Sequence, residues 1–213
     1  MYFERLLELV GDEPVFESAL LLAGGVNPAG VHLQLSRWVT AGRIYQLRRG
    51  LYALAPPFQK VKPHPFVIAN RLVRASYVSC QSALAHYGLI PEYVPVIISA
   101  TGARPARWRT PLGDFEFRHV KPTMLRGYRM TSLENGGQAL VATPEKALLD
   151  LVYLQPGGDS LAYLQELRLQ NLEQLDLNVL THLAERTGMP KLRRAAAILT
   201  KFAQAEAQEY ERL

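Results

Sequence analysis

The sequence has a single cysteine, Cys80, so it can form neither an internal disulfide nor a cysteine-based zinc site. Its longest candidate apolar run, Ala19 to Ala23, is five residues, far below the roughly 18 that a membrane span needs. The five histidines have no metal-ligand spacing, and no glycine-rich phosphate-binding loop is present. These absences predict a cytoplasmic protein with no membrane segment, no metal and no cofactor.

Acidic residues are also missing from one long stretch. From Ser18 to Pro91 there is no Asp or Glu, where the average density of the chain would place about six or seven. The formal net charge of +5 divides into −4 for residues 1–17, +12 for residues 18–133 and −3 for residues 134–213. This asymmetry indicates a polyanionic partner.

Hydrophobic periodicity and breakers divide the chain into four parts and predict an α+β protein. We expect a winged helix-turn-helix over residues 1–55, a Pro-rich basic linker over 56–65, a mixed α/β domain over 66–155 and a C-terminal helical segment over 156–213. In the first part the predicted helices lie at about 2–10, 16–23 and 28–41, the second ended by Gly24-Gly25, followed by strands at 44–47 and 51–54. In the third part a strand is predicted at 138–142, and Thr143 as N-cap with Pro144 in first position begins the helix after it.

The third predicted helix is the candidate recognition helix. Asn27 is its expected N-cap and Pro28 its first residue. Its apolar stripe should pack inward, leaving a small, polar face without acids that suits a DNA major groove. At the hairpin tip, Arg48 and Arg49 suit contact with the DNA backbone or minor groove. The predicted DNA-binding residues are Asn27, Gln34, Ser36, Arg37, Thr40, Arg48, Arg49, Lys60 and Lys62. A protein-interaction module remains an alternative for this unit.

Two blocks of the sequence resemble the AbiEi-type antitoxins of type IV toxin–antitoxin systems. The first is VNPAGVHLQLSRWVTAGRIYQLRRGLYAL (26–54), which is similar to the family's winged helix. The second combines YVSCQSALAHYGLIPE (77–92) with ATPEKALLDLVY (142–153). Together the blocks cover about 150 residues, and their order and spacing are more specific than either motif alone.

This resemblance implies a DNA-binding repressor of its own operon. It also implies antitoxin activity against a nucleotidyltransferase-like toxin encoded beside it, without a stable complex between the two proteins. Operators of the family are inverted repeats, so the resemblance implies paired protomers, a homodimer on DNA. An orphan repressor without a toxin is the first alternative.

The basic segment TGARPARWRTPLG (101–113) is predicted as an Arg-rich turn. It is a candidate second nucleic-acid surface, because arginine beside an aromatic ring suits contact by charge and stacking. Its residues are Arg104, Arg107, Trp108 and Arg109. A solvated flexible loop and a contact with an acidic protein are the alternatives.

The remaining chemistry-bearing residues favour no catalytic role. Asp114 and Glu116 share a predicted strand face and could suggest a metal-dependent nuclease, but the Glu-x-Lys pattern is missing. Glu145, Lys146 and Asp150 on a predicted helix suggest a similar site. However, Lys146 directly follows Glu145 and points elsewhere, and Glu145 suits the first turn of a helix whose leucines form the buried stripe. Cys80 and His86 lie six residues apart on a predicted helix and should face different directions. We therefore expect a protein that is not an enzyme, with a nuclease as the alternative from another class.

Overall fold

A computed structural model describes residues 2–22, 26–134 and 137–210. The chain is an α+β protein, as the sequence predicts, with a three-stranded and a six-stranded sheet. No helix within the described ranges is long and apolar enough to cross a membrane.

The N-terminal unit begins with α1 (Phe3–Val10), followed by strand β1 (Phe16–Glu17) and a 3₁₀ turn (Ser18–Leu21). Helix α2 (Pro28–Thr40) leads into the hairpin of β2 (Ile44–Arg48) and β3 (Leu51–Leu54). All three strands are antiparallel, in the order β1-β3-β2. The small core between helices and sheet includes Phe3, Leu35 and Trp38, with the Phe3 and Trp38 rings edge to face at 5.4 Å.

The predicted helix over 16–23 is wrong in its first half. Phe16 and Glu17 instead pair with Tyr52 and Leu51, and the Phe16 and Tyr52 rings stack with centroids 5.8 Å apart. Sheet pairing and ring contact outweigh the local helix preference, leaving a single 3₁₀ turn. The proposed end of that helix at Ala23 and its Gly24-Gly25 stop lie outside the described residues.

The larger unit is built on a mixed sheet with strand order β6-β7-β5-β4-β9-β8. Its strands, in chain order, are β4 (Ser76–Val78), β5 (Val96–Thr101), β6 (Ala106–Thr110), β7 (Gly113–His119), β8 (Tyr128–Ser132) and β9 (Gln138–Ala142). The pairs β4–β9 and β5–β7 are parallel, and the other neighbours are antiparallel. Segment 101–113, predicted as a turn, therefore contains an edge strand, because its alternating pattern pairs with β7.

The helices of this unit are α3 (Pro65–Leu72), α4 (Cys80–His86), α5 (Pro144–Leu154), α6 (Leu161–Glu166), α7 (Leu177–Arg186) and α8 (Pro190–Tyr210). Short 3₁₀ turns lie at Pro122–Met124 and Leu172–Gln174. Helix α5 contacts α4, α7 and α8 and is the central helix of the core. It begins as predicted, with the Thr143 hydroxyl accepting from the Lys146 N–H and Pro144 in first position.

The two units share buried surface. Val15, Leu47, Leu51 and Ala53 of the N-terminal unit belong to the same hydrophobic cluster as the large domain. At the surface Arg74 donates to both carboxylate oxygens of Glu17 at 2.9 Å. The contact fixes the position of the hairpin relative to the larger sheet, whereas the proposed domain boundaries stay predictions.

Candidate nucleic-acid interface

Helix α2 has one face in the core and one in solvent. Asn27 Oδ1 accepts from the Ala29 N–H at 3.0 Å, which confirms Asn27 as the N-cap. Val31, Leu35 and Trp38 are buried. Most of the remaining positions are exposed: Ala29, Gly30, His32, Leu33, Ser36, Arg37 and Thr40. Apart from Leu33, the exposed face thus consists of small or polar side chains, with one positive charge and no carboxylate.

Several features of this face suit close approach to a large partner. A Cβ built on Gly30 would meet no atom within 4 Å, so the first turns are open to solvent. Gln34 is half-buried, and the Thr40 hydroxyl donates to the Ser36 carbonyl. Ser36 and Arg37 therefore remain the most available hydrogen-bonding side chains in the C-terminal half of the helix.

The two arginines of the hairpin tip have different environments. Arg48 Nε donates to the Leu72 carbonyl at 3.0 Å, and its Nη2 donates to the Arg71 carbonyl at 3.2 Å. These carbonyls belong to the last turn of α3, where a helix leaves acceptors without partners. Arg49 is exposed at the tip. The structure therefore gives Arg48 partners within the chain and leaves Arg49 facing solvent.

Acidic residues among the first 17 neutralise part of the positive charge of the stretch from Ser18 to Pro91, which has no acid of its own. Asp12 pairs with Lys60 at 3.2 Å, Glu13 with Arg71 at 3.5 Å and Glu17 with Arg74 at 2.9 Å. Hydrogen bonds from Arg74 hold the pKa of the Glu17 carboxyl below its usual value. The bases between residues 18 and 133 that form neither an ion pair nor a side-chain hydrogen bond with the described part of the chain are Arg37, Arg43, Arg49, Lys62, Arg104, Arg109, Lys121, Arg126 and Arg129. The positive charge available to a partner is accordingly smaller than the number of basic residues in the sequence suggests.

Strand β6 carries the second predicted surface. Arg107 and Arg109 are exposed, while Trp108 between them is half-buried and packs against the large core. The indole Nε1 is buried without a hydrogen-bond partner among the described residues. Strand alternation therefore places the Trp108 ring on the opposite face of β6 from the two arginines, which disfavours the combined contact by charge and stacking. Arg104 lies in the exposed turn before the strand.

Of the two strand carboxylates that suggested a nuclease, Glu116 is engaged with arginines. Glu116 accepts from Arg118 at 2.6 Å and lies 3.2 Å from Arg107. Burial acts to raise the pKa of the Glu116 carboxyl, but the two guanidinium groups hold it below its usual value. Within the described ranges no three His, Cys, Asp or Glu side chains are grouped to hold a metal ion.

A buried polar cluster was missed by the sequence reasoning. Lys146 and Asp150 form an ion pair inside the large core, with side chains 3% and 0% exposed. Asp150 Oδ2 also accepts from Ser79 at 2.7 Å and from Tyr77 at 3.0 Å. Both side chains are enclosed because α5 packs against α4, α7 and α8 as well as against the sheet. Their i,i+4 spacing was the available signal.

Burial sets the chemistry of this cluster. It raises the pKa of the Asp150 carboxyl, and the Lys146 ammonium opposes that rise. Burial likewise raises the pKa of the neighbouring Cys80 thiol, which disfavours the reactive thiolate. Cys80 and His86 lie at opposite ends of α4, as predicted, so they form no nucleophile–base pair. Glu145, at the start of α5, is buried too, and it accepts from the Asp176 N–H at 2.9 Å.

Comparison with known proteins gives a fold relationship. No family model and no curated protein matches the chain. Among solved structures, the crystal structure of the RV2827C protein from Mycobacterium tuberculosis is similar, with a TM-score of 0.58 and 17% sequence identity. The match covers 92% of this chain and 75% of that chain. The similarity concerns the arrangement of the helices and strands across nearly the whole chain.

Proposed function

We propose that the N-terminal unit is a winged helix-turn-helix that binds double-stranded DNA. In this proposal α2 is the recognition helix, the 3₁₀ turn takes the place of a full second helix, and the β2–β3 hairpin is the wing. The observation that carries it is the solvent face of α2, because the 13 residues of this helix include no acid and Arg37 is exposed in its last turn. Such a helix fits the width of the major groove, where an arginine reads guanine.

The wing supplies a second contact in this proposal. Arg49 at the tip is exposed, and no described residue forms an ion pair with it. Arg48 supports the wing instead, because its hydrogen bonds to α3 hold the hairpin against the larger domain. Lys62, exposed in the segment after the hairpin, extends the same positive charge, whereas Lys60 is paired with Asp12.

Strand β6 provides a proposed extension of this surface. It lies beside β2 of the wing, so Arg104 and Arg109 are connected to the N-terminal unit through a packed contact. Charges arranged in this way suit the phosphate backbone, which is recognised without regard to sequence. Arg107 contributes less in this proposal, because Glu116 already neutralises it.

We further propose that the protein represses its own operon and acts as an antitoxin of the AbiEi type. The support is the resemblance of segments 26–54, 77–92 and 142–153 to that family. The partner would be a nucleotidyltransferase-like toxin, opposed without a stable complex, and the operator would be an inverted repeat. An orphan repressor is the alternative if no such toxin is encoded beside the gene.

DNA binding is tested by fluorescence anisotropy with the duplex upstream of the gene and a scrambled duplex of equal length. We expect the wild type to prefer the upstream duplex and Arg37→Ala to lose that preference by roughly ten-fold or more. Arg5→Ala is the matched control, because Arg5 is an exposed arginine of α1 that pairs with Glu8. Equal affinity of the wild type for both duplexes would contradict sequence-specific recognition.

The antitoxin role is tested separately by co-expression. A nucleotidyltransferase-like reading frame from the same operon should arrest growth alone, and growth should recover when this chain is expressed with it. Continued arrest in the presence of the folded protein would remove the antitoxin role and leave the DNA-binding proposal intact.

A further inference from the structure

The two edges of the six-stranded sheet differ. Strand β6 lies beside β2 of the N-terminal unit, whereas β8 has β9 as its one hydrogen-bonded strand among the described residues. An open strand edge is a template for pairing with another chain. The β8 edge is therefore a candidate interaction surface that the DNA-binding proposal does not use.

The hydrogen-bond pattern shows which residues of β8 have backbone N–H and C=O groups that point away from β9. The Gly127 carbonyl accepts from the Thr143 N–H at 2.9 Å, and the Leu133 N–H donates to the Gly137 carbonyl at 2.8 Å. In an antiparallel ladder hydrogen-bonded pairs recur at every second residue, so Arg129 and Thr131 also bond to β9. The backbone N–H and C=O groups of the residues between them point away from the sheet: Tyr128, Met130 and Ser132.

The side chains along this edge do little to prevent pairing. Met130 is 57% exposed, and Tyr128 is 38% exposed while stacking on Tyr77 with ring centroids 4.3 Å apart. The strand contains no proline, and Arg129 is its single charge. Soluble proteins usually blunt such an edge with several charges, a proline or a bulge.

We propose that β8 pairs with β8 of a second copy of this chain, antiparallel, about a two-fold axis that passes beside Met130. In this register Met130 faces Met130 of the second copy, and Tyr128 faces Ser132. All outward N–H and C=O groups of the three residues then find partners, and the two six-stranded sheets join edge to edge. A two-fold axis at Arg129 would place like charges opposite each other and leave Ser132 without a strand partner, and an axis at Thr131 would leave Tyr128 without one.

The side chains are complementary in the same register. Arg129 comes opposite Thr131 of the second copy, so no like charges meet across the axis. Thr131 Oγ1 is buried without a hydrogen-bond partner among the described residues, and the pairing brings a guanidinium donor to its strand position. The large Tyr128 meets the small Ser132. This self-complementarity is what a two-fold interface requires, and it favours a second copy over an unrelated extended peptide.

Cysteine cross-linking tests the register. Directly paired Cα atoms lie about 5.5 Å apart, within the range that a disulfide spans. Met130→Cys should therefore form a disulfide-linked dimer under mild oxidation of the full chain, since the native Cys80 is buried. Ser132→Cys is the matched control on the same edge. Its two copies would be separated by four residues along the strands, so its cross-linking should be lower by roughly ten-fold.

Solution mass provides an independent readout. Sedimentation equilibrium should give a concentration-dependent dimer for the wild type. Met130→Glu places two carboxylates opposite each other and should raise the dimer dissociation constant by roughly ten-fold or more. The same substitution should leave the far-UV circular dichroism unchanged, and also the unfolding midpoint at concentrations where the wild type is monomeric, because the side chain is 57% exposed in the single chain.

Two results would overturn the proposal: a wild type that stays monomeric at about 100 μM, where even micromolar dimers are populated, or equal cross-linking of the Met130→Cys and Ser132→Cys variants. Neither measurement includes DNA. Failure of strand pairing is therefore distinguishable from failure of the DNA-binding proposal.

Discussion

Arg48 of the hairpin donates from Nε to the carbonyl oxygen of Leu72 at 3.0 Å, and so caps the end of a helix in the other unit. A second donor of the same guanidinium reaches the Arg71 carbonyl at 3.2 Å. The planar group satisfies acceptors at the negative end of α3, where a positive charge is favourable. One side chain thus joins the hairpin to the domain behind it.

The first prediction concerns the stability of this junction. Arg48→Ala should lower the free energy of unfolding by about 1 to 3 kcal/mol, because partly buried carbonyls lose a charged donor. Urea denaturation followed by circular dichroism measures the change. Arg49→Ala, one position away and exposed, is the matched control and should stay within about 0.5 kcal/mol. Equal stability of the two variants would contradict the capping role of Arg48.

The sequence predicts much of the secondary structure because the local signals are strong. Asn27-Pro28 and Thr143-Pro144 begin α2 and α5 as expected, and β9 occupies its predicted residues. Arg48 illustrates what local signals miss: two adjacent arginines before a glycine look equivalent, and their difference arises from α3, more than twenty residues away. A capping residue is recognisable from its sequence neighbours, whereas a hydrogen bond between distant residues leaves no local pattern that would predict it.

The bases at the start of α8 make the same point. Lys191 and Arg194 oppose the dipole of their own helix, for which the sequence alone offers no reason. In the structure Lys191 donates to the Tyr153 and Gln155 carbonyls at the end of α5, and Arg194 pairs with Asp159 at 2.7 Å. Lys191 thus caps the end of α5 and Arg194 binds an acid in the loop that follows it, so the packing of α8 on α5 explains why these bases stand at the start of α8.

The second prediction concerns the buried ion pair. Lys146→Met should lower the free energy of unfolding by about 3 to 5 kcal/mol, because it leaves the Asp150 carboxylate buried without its counter-charge. Combining it with Asp150→Asn should recover part of that loss. The amide oxygen of the new residue still accepts from Ser79 and Tyr77 and carries no charge.

Thermal and urea denaturation of the two single variants and the double variant form a double-mutant cycle. Lys201→Met, a change of an exposed lysine in α8, controls for the loss of a positive charge. Additive effects of Lys146→Met and Asp150→Asn would contradict the direct pairing seen in the structure.

The third prediction concerns pH. Burial lowers the pKa of the His64 and His86 imidazoles, and the proximity of His86 lowers that of His64 further, although Glu134 acts in the opposite direction. His64 Nδ1 also accepts from the Phe66 N–H at 3.1 Å, which requires the unprotonated nitrogen. The folded state therefore binds fewer protons than the unfolded chain. Stability is complete above the unfolded histidine pKa of about 6.5 and should fall as the pH is lowered through it.

The measurement is the free energy of unfolding at pH 7.5 and pH 5.5. His64→Asn should reduce the difference between the two values while keeping α3 capped, because asparagine is a good N-cap residue. His182→Gln, an exposed histidine of α7, should preserve the wild-type difference. A stability that rises on acidification would show that protonation favours the folded state, contrary to the burial of these rings.

The fourth prediction separates the proposed roles of Arg37 and Arg49 in DNA binding. Arg37 lies on the solvent face of α2, where we propose contact with base edges, and Arg49 lies at the wing tip, where we propose contact with phosphate. Arg49→Ala should weaken specific and scrambled duplexes alike. It should also reduce the slope of log affinity against log salt by about 0.9, the value for one lost phosphate contact. Arg37→Ala should weaken the specific duplex by about 1 to 3 kcal/mol and the scrambled one far less. Titrations from 50 to 200 mM salt distinguish them, and identical slopes and losses for both variants would contradict this division between helix and wing.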